Sequence, residues 1–414
     1  MKILWFSNAI LTGSDKAGTG TWLSAMADSL LNIDGFNLGN ISLGPVTRVT
    51  RSDYKQISQW IIPLTAKLRK DGLPNNNFVK DIERVAKEFE PDLIHIWGTE
   101  SFYGLLTARN YLKFPALLEM QGLKGLWSRV YSGGLSTREI LACIGIKELL
   151  LRSTIFQRRK QFALWWNFEK EMICNHSYIT VQSPWIEAWI KALNPSCTTF
   201  KTDLILRNSF YQQENWSGLK NDYNNPVIFC SAGYSAPFKG FHDAIRAIYI
   251  LKDKYKTIKL KIAGNHQRKG IRQNGYINWL NKLILKYNLS PNVEWLGPLS
   301  ADRLVSEMTN SSIMLIPSHV ESYCVSMAEA MQLGVPIVSS YTGGTSYLAK
   351  DGESALFFIP GDESMCAYQI DRLLSDKEMA MHFSKKGRET AIKRNNPNKI
   401  IDNQIAIYKN ILKL

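Results

Sequence analysis

Two glutamates stand eight positions apart in the stretch PSHVESYCVSMAEAMQLGVPIVSS, residues 317–340. The pattern predicts a strand followed by a loop that carries Glu321. A helix is predicted from about Ser326 to Leu333, and Glu329 lies on it. Free backbone amides at such a helix N-terminus form an anion site suited to a diphosphate. A carboxylate one turn inside the helix can accept hydrogen bonds from ribose hydroxyls, and one on the preceding loop can reach a sugar attached to the diphosphate.

A purely structural interpretation of the same residues stays open. Ser326 and Glu329 also fit a capping box, in which the glutamate accepts a hydrogen bond from the N-cap amide. The two roles are compatible with each other.

A second stretch of this kind is CSAGYSAPFKGFHDAIRA, residues 230–247. It places Lys239 and Gly240 on the loop after a predicted strand and just before a helix N-terminus. There a mobile ammonium and the free amides can share one phosphate. The structural alternative for Lys239 is a solvated loop lysine.

The first stretch, extended as far as Gly344, resembles the signature of the retaining glycosyltransferases of the GT-B fold, sequence family four. That signature has two glutamates with seven residues between them, a small-residue helix, G-x-P, a strand and a Gly-Gly loop. The matching residues here are Glu321, Glu329, Gly334, Pro336, Gly343 and Gly344.

The resemblance implies a role for each matching residue. Glu321 and Lys239 become the catalytic residues, with Glu321 holding the hydroxyls of the donor sugar and Lys239 contacting the donor diphosphate. Glu329 becomes the ribose ligand. The remaining donor-binding residues implied around them are Gly240, Tyr323, Cys324, Val325, Ser326, Gly343 and Gly344. The sequence departs from the family at Tyr234. The family has an arginine at this position, five residues before the lysine, and its replacement removes one positive charge that would contact the phosphates.

Weaker matches extend the donor and acceptor sites. The strand and turn VEWLGPLSADRL, residues 293–304, resembles the segment whose backbone meets the nucleobase, with Pro298 and Leu299 near the base ring. Gly18 and Gly20 resemble the glycine-rich loop that faces the donor diphosphate. They lack the third glycine and the tight turn that a nicotinamide dinucleotide fingerprint needs.

Three residues end predicted strands at the rim of the first domain, and we interpret them as acceptor contacts: Trp97, Glu100 and Gln121. In the resembled family a histidine is frequent near the last of these positions. A structural role for all three is the alternative.

These motifs need a scaffold of alternating strands and helices. From residue 227 onward, short apolar runs alternate with stretches of three- and four-residue apolar spacing, which predicts a parallel sheet covered on both faces. The first half repeats the theme. It includes a predicted strand TDLILRN and a long helical stretch from about Thr137 to His176. The predicted fold class is α/β, with two doubly wound Rossmann-like domains that face each other across a cleft.

The predicted division of the chain has four parts. Residues 1–210 form an acceptor-side domain, residues 211–226 a polar linker, and residues 227–395 a nucleotide-sugar-binding domain. Residues 396–414 form a C-terminal helix that packs back on the first domain. Ligands bind in the cleft outside the carboxyl ends of the strands in such folds.

The cysteine content, the apolar runs and the absence of metal-ligand patterns limit the classes of protein to which this sequence can belong. The 414 residues include six cysteines without metal-ligand spacing, so we expect reduced cysteines in a cytoplasmic protein. No apolar run reaches the length of a transmembrane helix, and we interpret Met1 to Leu11 as a first buried strand rather than a signal peptide. No metal-binding cluster of His, Asp and Glu is apparent, and there is no Asp-x-Asp pair to bridge a metal to a diphosphate.

The net charge of +14 comes from residues 101–200 and 251–300 and indicates polyanionic partners. We expect no nucleic-acid partner, because no recognition module accompanies the charge. Between Arg138 and Lys170 the basic residues alternate with Phe156, Phe162, Trp165 and Trp166, a composition suited to an anionic membrane surface. A solvated basic face over an aromatic core stripe is the alternative.

The predicted function is transfer of a sugar from a UDP- or GDP-type nucleotide sugar to a saccharide or lipid-linked saccharide, with retention and without a cofactor or metal. Bacterial surface polysaccharide synthesis is the expected setting, at the inner face of the cell membrane. Two alternatives remain: a nucleotide-sugar epimerase of the same fold, and a catalytically silent homologue that binds nucleotide as a subunit. Donor hydrolysis separates an active enzyme from a silent subunit.

Overall fold

The computed structural model describes residues 1–12, 21–64, 68–212, 215–218, 225–264 and 274–414. Strands of the first half are β1 (Lys2–Ser7), β2 (Asn37–Gly44), β3 (Thr50–Arg51), β4 (Ser58–Pro63), β5 (Leu93–Trp97), β6 (Ala116–Glu119), β7 (Tyr178–Val181) and β8 (Thr198–Lys201). Strands of the second half are β9 (Val227–Ser231), β10 (Lys259–Ala263), β11 (Val293–Gly297), β12 (Ile313–Ile316), β13 (Ile337–Ser340) and β14 (Leu356–Phe358).

The helices alternate with these strands. Those of the first half are α1 (Thr21–Leu30), α2 (Asn76–Phe89), α3 (Tyr103–Ala108), α4 (Lys124–Val130), α5 (Thr137–Ala142), α6 (Ile146–Leu150), α7 (Ile155–Cys174), α8 (Pro184–Leu193) and α9 (Ser209–Gln212). Those of the second half are α10 (Phe241–Leu251), α11 (Gly275–Lys286), α12 (Ala301–Thr309), α13 (Val325–Leu333), α14 (Thr345–Leu348), α15 (Glu363–Ser375), α16 (Lys377–Arg394) and α17 (Pro397–Leu412).

Two separate sheets confirm the predicted pair of Rossmann-like α/β domains. The first has the order β3-β4-β2-β1-β5-β6-β7-β8 and the second the order β11-β10-β9-β12-β13-β14. Neighbouring strands run parallel throughout, apart from the antiparallel pair β3 and β4. The central strands β5, β12 and β13 are buried along their whole length, as expected for sheets covered by helices on both faces.

The predicted strand TDLILRN is wrong. Residues 202–208 pair with no strand among the described residues, and the sheet instead ends with β8, which pairs with β7. The apolar run has a different cause. Leu204 and Leu206 are buried in the core that surrounds the second sheet, whereas Ile205 is buried against the first domain. The segment is therefore apolar on both sides because it passes between the two domains.

The predicted long helix between Thr137 and His176 is divided into α5, α6 and α7. Ser136 caps α5, and Thr154 caps α7 through a reciprocal capping box with Gln157. Arg152, just before α7, adopts a positive φ of 48° that interrupts helical geometry. The elements β2, β4 and α2 were not predicted from the sequence pattern.

The C-terminal helix α17 comes after the second domain in sequence but packs on the first. Ile400, Ile401, Ile407 and Ile411 share a buried cluster with β1. The Tyr408 hydroxyl accepts a hydrogen bond from Trp5 Nε1 at 3.2 Å and lies 2.8 Å from His95 Nδ1. Among the described helices, none has the length and apolar character needed to cross a bilayer.

Candidate functional site

Three neighbouring parallel strands, β9, β12 and β13, bring the main candidate residues together. Lys239 ends a short 3₁₀ helix, Pro237–Lys239, on the connection after β9. Glu321 lies on the loop after β12, and Gly343 and Gly344 lie on the loop after β13. Because carboxyl ends of adjacent parallel strands meet at one sheet edge, residues far apart in sequence share one site.

The loop after β12 leads into α13 through Cys324, the N-cap, which adopts a positive φ of 76°. No described side chain caps this helix, so the predicted capping box between Ser326 and Glu329 is not formed. The open amides of the first turn therefore remain available to an anion. Burial and the nearby Glu321 carboxylate raise the pKa of the Cys324 thiol to about 12, so the thiol stays protonated.

The Gly343–Gly344 loop lies directly against the Glu321 loop. The Gly344 amide donates to the Glu321 carbonyl at 2.8 Å. A Cβ on Gly343 would lie 1.9 Å from that same carbonyl oxygen, and a Cβ on Gly344 would lie 2.1 Å from the Ser322 carbonyl oxygen. Only glycine therefore allows the two loops to approach this closely, and the approach fixes the backbone around Glu321.

Lys239 and Glu321 form an ion pair, with Lys239 Nζ donating to Glu321 Oε1 at 2.6 Å. Ser318 Oγ donates to the same carboxylate oxygen at 2.7 Å. Burial disfavours the charged ammonium, but Glu321 and Tyr234 outweigh it and raise the pKa of Lys239 above its ordinary value. An ammonium has three N–H donors, so the bond to Glu321 leaves two of them for phosphate oxygens.

Gly240, directly after Lys239, begins α10 with a φ of 69°. A Cβ there would lie 1.9 Å from the Pro317 carbonyl oxygen at the end of β12. This contact joins the lysine loop to the glutamate loop. Tyr234, at the position of the family's arginine, is 41% exposed, and its ring centroid is 6.0 Å from Lys239 Nζ.

Glu329 has a partner that the sequence analysis missed. Arg207, from the segment between the domains, donates to Glu329 Oε1 through Nε at 2.9 Å and through an Nη at 2.7 Å. Both side chains are buried, at 8% and 5% exposure. Burial raises the pKa of the Glu329 carboxyl, and Arg207 opposes this rise. An arginine inside the apolar run LILRN was the available signal, since charged groups in such runs are almost always paired.

The other predicted donor residues lie in different environments. The Tyr323 side chain is buried and faces away from the loop, and its hydroxyl lies 2.9 Å from Asn395 Nδ2. Only the backbone of Tyr323 is therefore placed to contact a nucleotide-sugar donor. Pro298 is exposed and Leu299 half-buried on the turn between β11 and α12. Gly18 and Gly20 lie outside the described residues.

Two of the three predicted acceptor residues lie together. A Cβ on Gly98 would lie 2.1 Å from Glu100 Oε2 and 3.5 Å from Gln121 Cδ, so both side chains border the same glycine. Glu100 Oε2 and Gln121 Nε2 are enclosed and have no hydrogen-bond partner among the described residues. Burial raises the pKa of the Glu100 carboxyl, and the Lys124 ammonium opposes this rise. Trp97 is different: it is 2% exposed, and its ring stacks on His95 within the first domain.

Aromatic contacts connect this rim to the lysine loop. Trp127 packs over Gly122, beside Glu100, and stacks on Phe238 with a centroid distance of 5.9 Å. Phe238 directly precedes Lys239. The Glu100 region of the first domain thus faces the Lys239 region of the second across one pair of aromatic rings.

The structure brings together one possible set of metal ligands, contrary to the sequence-based expectation. Donor atoms of His242, Asp243 and His319 lie within 4.8 Å of one another. However, His242 Nε2 lies 2.7 Å from the Gly133 carbonyl, and Nδ1 lies 2.8 Å from the Tyr276 hydroxyl. Burial lowers the pKa of His242 to about 4, so the ring is neutral and its one proton is donated to the carbonyl. Both nitrogens are therefore occupied by protein contacts, Nε2 with Gly133 of the first domain and Nδ1 with Tyr276 of the second.

The second half of the chain is similar to known glycosyltransferases. Residues 212–390 match the family model described as glycosyl transferases group 1. N-acetyl-alpha-D-glucosaminyl L-malate synthase of Bacillus anthracis is 26% identical over 132 residues, which is 32% of this chain and 34% of that protein. The match covers only 34% to 53% of the length of such relatives.

Solved structures match over the whole chain. Sucrose-phosphate synthase of Thermosynechococcus elongatus has a TM-score of 0.76 at 17% identity, covering 100% of this chain and 99% of that one. Anabaena HepE, solved in complex with UDP-glucose, has a TM-score of 0.67 at 17% identity and full coverage of both chains. The fold is the GT-B fold of these glycosyltransferases.

Proposed function

We propose that this protein is a glycosyltransferase that moves a sugar from a nucleotide-diphosphate sugar to a saccharide or lipid-linked saccharide acceptor, with retention at the anomeric carbon. The observation that carries the proposal is the convergence of Lys239, Glu321 and the uncapped N-terminus of α13 at one sheet edge. It supplies a cation and free amides for a diphosphate and a carboxylate for sugar hydroxyls.

In this proposal the leaving diphosphate is stabilised without a metal. Lys239 and the amides of α13 meet the charge that develops when the anomeric carbon–oxygen bond breaks. Glu321 holds the donor sugar by hydrogen bonds, and its partners Lys239 and Ser318 orient the carboxylate for that task. Oε1 of Glu329 is held by Arg207, which leaves Oε2 for a ribose hydroxyl.

Acceptor binding is assigned to the opposite rim. Glu100 Oε2 and Gln121 Nε2 form an acceptor and a donor side by side, both without described partners, and such a pair matches a hydroxyl that gives and takes a hydrogen bond. A saccharide acceptor fits this chemistry. Retention, a UDP- or GDP-type donor, surface polysaccharide synthesis and work at the cytoplasmic membrane face are part of the proposal, supported by the resemblance of the motifs.

Calorimetry with UDP, GDP and their sugar derivatives tests the donor site. Lys239→Ala and Glu329→Gln should each weaken binding roughly ten- to a hundredfold, the effect of losing a charge-assisted hydrogen bond. Lys350→Ala is the matched control, because it removes an exposed lysine of the same domain that pairs only with Glu353 among the described carboxylates. Unchanged affinity in Lys239→Ala and Glu329→Gln would contradict the assignment.

Product analysis separates the alternatives. Release or transfer of the sugar with its anomeric configuration kept, in the presence of a chelator, is the expected result. Nucleotide binding without any sugar release would indicate a silent binding subunit, and conversion of the free nucleotide sugar to its epimer would indicate an epimerase. Activity lost to a chelator and restored by magnesium or manganese would overturn the metal-free step.

A further inference from the structure

The segment from Arg138 to Lys160 exposes an unusual set of apolar side chains. They belong to α5, α6, the connection to α7 and the first turn of α7, and they are 44% to 76% exposed: Leu141, Ile146, Leu149, Leu150, Leu151 and Phe156. Exposed apolar patches of contiguous residues generally mark a contact with another surface. We call this patch, together with the basic residues around it, the α5–α7 surface.

In the same segment, the basic side chains face solvent and the acidic side chains face the protein. Its basic residues are Arg138, Lys147, Arg152, Arg158, Arg159 and Lys160, and all except the half-buried Lys147 are exposed. Its two acidic residues turn inward: Glu139 pairs with Arg246 at 2.6 Å, and Glu148 accepts from the Gly275 amide at 3.1 Å. The solvent side of the segment therefore combines apolar groups with positive charge alone.

Of the four aromatic residues that the sequence pointed to, only Phe156 is part of this surface; Phe162, Trp165 and Trp166 are not, which corrects the sequence-based view of it. Trp165 Nε1 donates to the Thr99 carbonyl at 2.8 Å, and Phe162 packs on Tyr131 at a centroid distance of 5.2 Å. Trp166 packs against Gly125. These rings form an internal stripe, so the apolar contact area comes from the leucines of α6 and its neighbours instead.

We propose that the α5–α7 surface docks on an anionic lipid bilayer. Leucine side chains enter the boundary of the acyl chains, while arginines and lysines around them meet phosphate headgroups. A second copy of the chain fits less well, because a two-fold contact would bring this cationic patch against its own charges. The positive charge around the apolar patch therefore favours an anionic bilayer over a second copy of the chain as the partner.

The two inward acids give this docking a further consequence. Arg246 lies on α10 and Gly275 begins α11, both in the second domain, while the surface itself belongs to the first. Cys143, between α5 and α6, is also buried in the core around the second sheet. Contacts that hold the segment in place therefore span the two domains. Bilayer docking therefore stabilises the arrangement in which the two domains face each other, and this arrangement forms the proposed donor site. The coupling between docking and donor binding rests on the proposed function, whereas the docking itself does not.

Cosedimentation of the full chain with vesicles tests the docking. Vesicles of phosphatidylcholine with phosphatidylglycerol should bind the protein, and vesicles of phosphatidylcholine alone should bind much less. Binding should weaken as salt increases. The triple change Arg158→Gln, Arg159→Gln and Lys160→Gln should reduce partitioning roughly a hundredfold, at about fivefold for each cation. The triple change Leu149→Ser, Leu150→Ser and Leu151→Ser should reduce it as well.

A matched control removes three exposed lysines elsewhere, by Lys385→Gln, Lys386→Gln and Lys393→Gln on α16. It should bind vesicles like the unchanged protein. Equal binding to both kinds of vesicle, or equal loss in the control, would overturn the proposal. So would a concentration-dependent dimer in light scattering that the serine variant abolishes, because the occupant would then be a second copy.

Nucleotide calorimetry without vesicles keeps this test separate from the proposed function. Both α5–α7 variants should bind the donor nucleotide normally in solution, and anionic vesicles should increase donor affinity only in the unchanged protein. Vesicle binding without any such increase would contradict the coupling but leave the docking intact. Absence of nucleotide binding in every variant would contradict the proposed function and not the docking.

Discussion

At the scale of single residues, the pair of Arg207 and Glu329 joins the segment between the domains to α13 at the proposed donor site. Removing one member of a buried ion pair leaves an uncompensated charge and costs about 3 to 5 kcal/mol. We therefore expect Arg207→Met to lower the free energy of unfolding by about that amount. Glu329→Gln should lower it as well, because the amide oxygen still accepts from Arg207 but no longer compensates the charge of the buried guanidinium. Urea unfolding monitored by circular dichroism measures both.

The double variant Arg207→Met with Glu329→Leu is the control for this prediction. Replacing a buried ion pair by apolar groups of similar size is often neutral, so the double variant should recover most of the lost stability. Equal stability of Arg207→Met and the unchanged protein would mean that the pair contributes nothing. Glu329→Gln should also show weakened nucleotide binding under conditions where circular dichroism shows it to be folded, which separates the ligand role of the carboxylate from its structural role.

Sequence patterns located some of these residues and missed others for a physical reason. Glu321 and Lys239 could be placed because each comes after a short apolar strand, and strand ends fix where a loop residue lies. The partner of Glu329 could not, because Arg207 stands 122 positions away and meets it only through the packing of two domains.

At the scale of elements, Glu169 of α7 caps the N-terminus of α4. It accepts from the amides of Lys124 and Gly125 at 3.0 and 2.9 Å, and from Thr99 Oγ1 at 3.1 Å. The N-cap residue of α4, Leu123, offers no capping side chain. Glu169 therefore positions the turn that carries Gln121 and Gly122, although its own carboxyl is fully buried.

This cap predicts a dependence of stability on pH. Burial raises the pKa of Glu169 from 4.5 to about 7, so between these values the folded chain holds a proton that the unfolded chain releases. The stabilising contribution is complete below about pH 4.5 and is lost as pH rises to about 7, a change of about 3 kcal/mol. Glu169→Gln removes this titration. The unfolding free energies of the two proteins, measured at several pH values between 4.5 and 7.5, should therefore differ by an amount that changes with pH.

The difference between the two proteins is the quantity to measure, because groups such as Glu329 titrate in both and cancel. Parallel curves would contradict the prediction. Among the elements, the strands of the second domain follow the alternation predicted from residue 227 onward, because each is a short apolar run between helical periods. Residues 202–208 also form a short apolar run, but they lie between the two domains. Burial against both domains gives them the same apolar pattern as a buried strand.

At the scale of the whole molecule, the domains meet through backbone as well as side chains. Gly133, after α4, has a φ of 58°, and its carbonyl accepts from His242 in the second domain. A Cβ on Gly133 would lie 2.3 Å from the Pro237 carbonyl oxygen, two residues before Lys239. No sequence pattern predicts such an approach, because strand and helix periodicity describe each domain by itself.

Gly133→Ala should therefore separate the domains and displace the lysine loop. Gly134→Ala is the matched control: Gly134 has a φ of 75°, and a Cβ there would meet only the edge of the His319 ring, at 3.3 Å. In both variants the left-handed backbone costs about 1 to 2 kcal/mol, but only the first inserts a methyl group between two backbones. Small-angle scattering should show a larger Rg for Gly133→Ala alone, with donor affinity reduced more than in the control. Identical scattering and affinity for the two variants would show that this contact does not hold the domains together.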